Sequence, residues 1–109
     1  MAFDDALAAR IRPLLADVAG VVEKQMFGGL AFLINGHMSV GVHRASLIVR
    51  MPVEDTEAAL AEPGVGPFDI TGRPMRGWVL VAPEALKTPK ALGAWVKRGV
   101  SFASALPPK

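Results

Sequence analysis

The pair Asn35-Gly36 sits between two apolar runs, residues 30–34 and 38–42, and constrains the chain more than any other feature. Both residue types tolerate positive φ, which a two-residue type I′ turn needs twice, so the pair predicts a β-hairpin. Along the second run, Met38, Val40 and Val42 alternate with Ser39, Gly41 and His43. A period of two predicts one packed side and one more polar side. Residues 46–51 predict a third strand, ended by Pro52.

Helical spacing flanks these strands. Asp4 or Asp5 can cap a first helix, in which Phe3, Leu7, Ile11, Leu14 or Leu15, and Val18 recur every three or four positions. Pro13 falls inside that pattern, so a kink or a break into two short helices is expected before Gly20 closes the element. Residues 54–61 predict a short helix with acidic groups in its first turn, and Pro63-Gly64-Val65-Gly66-Pro67 predicts a loop. Residues 68–71 and 77–81 read as two more strands joined through 72–76. The last helix begins near Thr88 with Pro89 in its first turn and ends at Pro107-Pro108. Its apolar stripe is Leu92, Trp95, Val96, Gly99, Phe102 or Ala103, and Leu106. The order α-β(3)-α-β(2)-α implies an α+β class, with a five-stranded antiparallel sheet covered by helices in one domain over residues 1–109.

Composition excludes several kinds of chemistry. With no cysteine, the chain has no disulfide, no thiolate zinc site and no cysteine nucleophile; the cytoplasm is the expected compartment. Residues 1–12 hold Asp4 and Asp5 without a basic start or a long apolar stretch, unlike a signal peptide. The apolar runs fall far short of the roughly 20 residues that span a bilayer, so no membrane partner is expected. Tyrosine is absent as well, which removes a common proton donor.

The remaining candidates are weak as catalysts. His37 and His43 are too far apart on one strand to share a metal. Ser39 lies on a hairpin strand, whereas a nucleophile elbow needs a strand-to-helix turn. Gly28-Gly29 precedes a strand where phosphate cradles open a helix, so a bulge or sharp bend is the better reading. The carboxylates fall mostly on helical surfaces and imply no acid–base pair. No cofactor or metal is expected.

Charge is distributed unevenly. Residues 1–69 carry five basic groups against nine acidic ones, while residues 70–109 carry seven against Glu84 alone. Lys87, Lys90, Lys97 and Arg98 are therefore candidate nucleic-acid contacts, and Lys90, Lys97 and Arg98 are spaced to line one side of the last helix. The stretch Gly72-Arg73-Pro74-Met75-Arg76-Gly77-Trp78 allows two readings. Gly72, Pro74 and Gly77 favour a structural turn leading into the apolar Trp78. If Arg73 and Arg76 converge with Lys24 and Arg50, they instead form an anion or acidic-partner site. Phe27, Phe32, Phe68 and Trp78 are embedded in apolar strand patterns, which argues against a base-stacking platform.

Taken together, Met26-Phe27-Gly28-Gly29, Phe32, Asn35-Gly36-His37-Met38, Leu47 with Arg50, Gly66-Pro67-Phe68 and Gly72–Trp78 resemble the TfoX N-terminal domain family. This is the amino-terminal module of the bacterial competence regulators also called Sxy. The resemblance implies a two-layer, secretion-chaperone-like α-β(3)-α-β(2)-α fold and a place in bacterial transcription control. It implies no catalytic residues. Full-length competence regulators add a helical C-terminal domain, and no such domain is expected here. The expectation is a non-enzymatic module that forms a homodimer or binds a protein partner, with nucleic-acid or anion binding as the alternatives.

Overall fold

The computed structural model describes residues 4–26, 29–68 and 76–107. Its first helix, α1 (Asp5–Ile11), begins where the Asp4 carboxylate accepts hydrogen bonds from the Ala6 and Leu7 amides, at 2.8 and 3.2 Å. Pro13 then breaks the α-helical pattern, and the chain continues as a 3₁₀ turn, Arg12–Leu15. The expected break into two short helices is present. Of the two alternatives for the stripe, Leu15 is buried and Leu14 is exposed.

Six strands follow among the described residues: β1 (Val21–Met26), β2 (Gly29–Ile34), β3 (His37–His43), β4 (Ser46–Arg50), β5 (Val65–Pro67) and β6 (Trp78–Val81). They form one antiparallel sheet in the order β1-β2-β3-β4-β6-β5. Asn35 and Gly36 join β2 to β3 with φ of 51° and 88°, so the hairpin turn is of the kind the pair predicts.

Two strands depart from expectation. Val21–Met26 is a full partner of β2, which makes the sheet six-stranded where five strands were expected. The supposed loop at 63–67 contains β5, with Pro67 tolerated because the strand lies at the sheet's edge. The strand expected at 68–71 is not found at Phe68, and residues 69–71 lie outside those described. Gly28, Gly72, Arg73 and Pro74 lie outside them too.

A third correction concerns the two sides of the sheet. Phe32 pairs with Val40 while Leu33 pairs with Met38, which leaves Ser39 as the extra residue of a β-bulge. Its hydroxyl donates to the Phe32 carbonyl at 2.9 Å. The bulge flips the alternation, so Met38 lies on the opposite side from Val40 and Val42. Neither side is polar as a whole.

The larger core lies under the helices, where α1, α2 (Thr56–Leu60) and α3 (Pro89–Ser104) cover Phe32, Val40, Val42, Leu47, Val49, Val79 and Val81. Each fully buried side chain of this size contributes roughly 2 kcal/mol. On the other side, Ala31, Met38, Ile48 and Phe68 form a smaller cluster with Leu33, Trp78 and Leu80. The last helix is capped by the Thr88 hydroxyl, which accepts from the Ala91 amide at 3.1 Å, and it buries Leu92, Trp95, Val96, Gly99 and Ala103.

Candidate interaction surface at the sheet edge

The strand that the sequence reading missed is the most exposed part of the sheet. β1 ends the strand order, so its outer backbone edge pairs with nothing among the described residues. Six residues in extended conformation make this edge about 20 Å long. Only Val21 is partly buried, against the helical side of the core.

Cross-strand partners in an antiparallel pair share a side, so the register of β1 on β2 assigns each of its side chains to a face. Val22 is opposite Leu33, Lys24 opposite Ala31 and Met26 opposite Gly29. These three therefore form a row on the side away from the helices, with Val22 59% and Met26 39% exposed. Glu23 lies on the helical side and is held by Arg12, whose guanidinium donates to both carboxylate oxygens at 2.9 and 3.0 Å. That charge-assisted hydrogen bond, with the arginine's positive charge behind it, holds the Glu23 carboxyl below the ordinary glutamate range. Lys24 forms no such pair among the described residues, so the edge presents one free cation between two apolar side chains.

The arginine and lysine set expected near the Gly72–Trp78 stretch does not converge as a whole. Lys24 is three strand spacings from the strand that carries Arg50, about 14 Å. Arg50 is occupied by aromatic rings, with its guanidinium 5.1 Å from the Trp78 centroid and 5.2 Å from that of Phe102. Arg76 is exposed, and Gly77 beside it is pinned on two sides. Its amide donates to the buried Thr56 hydroxyl at 2.7 Å, and its carbonyl accepts from Met51 at 2.9 Å. These bonds, together with a φ of 88° at Gly77, make the described end of this stretch a turn that docks β6 against the start of α2.

The basic groups of the last helix separate in a similar way. Lys90 and Lys97 are exposed on one side of α3, with Lys87 exposed just before it. Arg98 turns aside to bond Glu62 at 3.1 Å and lies 4.4 Å from the Trp95 ring centroid. Beside it is an open cleft of about 370 Å³, lined by Met51, Pro52, Asp55, Arg98, Ser101, Phe102 and Ala105.

The histidines stand at opposite ends of β3. His37 uses Nε2 to donate to the Pro107 carbonyl at 2.6 Å, tying the segment after α3 to the hairpin. No cluster of metal-ligating side chains occurs among the described residues, and no helix there is long and apolar enough to cross a membrane.

Neither the curated proteins nor the solved structures contain a match to this chain. The sequence model of the TfoX N-terminal domain does match, over residues 13–103, a span that takes in all six strands and most of α3. The chain belongs to the TfoX N-terminal domain family.

Proposed function

We propose that this domain is a non-enzymatic protein-interaction module, acting within bacterial competence or transcription control, and that it meets its partner along β1. The observation that carries this reading is a strand edge left open among the described residues, with exposed Val22 and Met26 on one side of it. Apolar side chains beside unpaired backbone donors and acceptors are what strand addition uses: the backbone supplies affinity and the alternating side chains supply specificity. Family membership supports the regulatory setting. A nucleic-acid role has its own support in Lys87, Lys90 and Lys97, but Arg98 is already paired with Glu62, which leaves a short basic row.

A photo-crosslinking residue placed at position 22, with position 94 on the outer side of α3 as the control, tests the reading in native cells. Discrete protein adducts at 22 that are absent at 94 are the expected result. Adducts only at 94, or adducts at either position made of nucleic acid, would overturn it.

A further inference from the structure

We propose that the β1 edge takes an extended peptide segment of a different protein, one with a carboxylate flanked two residues on either side by apolar side chains. This rests on the interaction reading above and gives the partner its chemistry. The row facing away from the helices reads apolar, cationic, apolar at Val22, Lys24 and Met26. Directly opposed side chains on neighbouring strands come within roughly 5 Å of each other, so each position in the row selects its opposite number. The carboxylate of Glu23 is already neutralised by Arg12 on the other side, which leaves Lys24, among the described residues, as the unmatched charge of the strand. An acidic residue opposite Lys24 satisfies it, and apolar residues two positions away cover Val22 and Met26.

The same charges work against a second copy of the chain in this place. Antiparallel self-pairing about a two-fold axis keeps each face on its own side, so only residues of the same parity can stand opposite one another. Of the two registers that pair most of the strand, one sets Lys24 against Lys24, and the other sets Lys24 against Val22 and leaves the cation without a counter-charge. Registers centred on Val22 or Gln25 pair only three residues of each strand. Like charges directly opposed are destabilising, as are short edges.

The probe is a blocked seven-residue peptide, Thr-Ile-Thr-Glu-Thr-Val-Thr, compared by amide chemical shifts on the isotopically labelled chain with the same peptide carrying lysine at its centre. The glutamate peptide is expected to shift the amides of residues 21–26 and to bind roughly fivefold or more tightly than the lysine peptide. K24E, on an exposed site, is expected to reverse that preference. Equal binding of the two peptides, shifts centred elsewhere, or no shift at millimolar peptide would each overturn the proposal. So would a dimer in sedimentation that protects the β1 amides. If the peptide fails while position 22 still captures a protein, the stated partner chemistry falls alone; if both fail, the interaction reading falls with it.

Discussion

Gly99 decides how closely α3 approaches the sheet. A Cβ built there would stand 2.4 Å from the Ser39 carbonyl oxygen and 2.6 Å from a Val40 methyl, closer than side-chain atoms can come. The helix therefore rests on the bulge itself, where Ser39 has already turned its hydroxyl inward to the Phe32 carbonyl. Gly93, six residues earlier in the same helix, has nothing within 4 Å of its would-be Cβ. The two glycines predict effects of opposite sign. G93A removes backbone freedom from the unfolded chain and should stabilise by about 0.5–1 kcal/mol. G99A must push the helix off β3 and should destabilise by roughly 1–3 kcal/mol. Thermal melts of both variants check the pair, and matching signs would mean that the helix does not sit on the bulge as described.

At the level of elements, the sequence was readable where a local rule acts alone. Asn35-Gly36 located the β2–β3 hairpin because positive φ at two successive residues admits few other residue types. Pro13 marked the end of α1 for a similarly local reason. β1 was missed because an edge strand with little burial has no need of alternation, and Glu-Lys-Gln in its middle does not read as a strand. β5 was missed because Val65-Gly66-Pro67 is built from turn residues and becomes a strand only by pairing with Val79–Val81. The bulge escaped notice for a different reason: Ser39 reads as an ordinary polar position in an alternating run, and its extra count appears only against β2. The candidate surface shared the fate of β1, since its charge row depends on the register with β2.

Glu23 ties β1 to the 3₁₀ turn through Arg12, and this contact makes stability depend on pH. A carboxyl whose pKa is lowered in the folded state adds stability above its unfolded pKa and loses it as pH falls through the folded value. Wild type should therefore melt at higher temperature than E23Q near neutral pH, with the gap closing as acid protonates Glu23 below the ordinary glutamate range. Both side chains are substantially exposed, so the gap is small and shrinks further in high salt. Melts of the two proteins from pH 7 down to about 3, at low ionic strength, check this. A constant gap across the range would show that the ion pair contributes nothing.

Across the whole molecule, the basic excess after residue 70 is spread over several tasks. Arg98 bonds Glu62 and, like Arg50, lies against aromatic rings, while Lys87, Lys90 and Lys97 remain in solvent around α3. At the first edge of the sheet the chain instead exposes Val22, Lys24 and Met26 beside a backbone that pairs with nothing among the described residues. Among the described residues two surfaces differ in chemistry, a basic helix side and a strand edge with exposed apolar side chains, and we propose that the partner docks on the edge. The most direct measurement is an amide correlation spectrum of the isotopically labelled protein in an extract of its native cells, compared with the spectrum in buffer. Broadening confined to residues 21–26 and neighbouring Leu33, unchanged by nuclease, is the predicted result. Broadening centred on Lys90 and Lys97 that nuclease abolishes would contradict it and make the helix side a nucleic-acid surface.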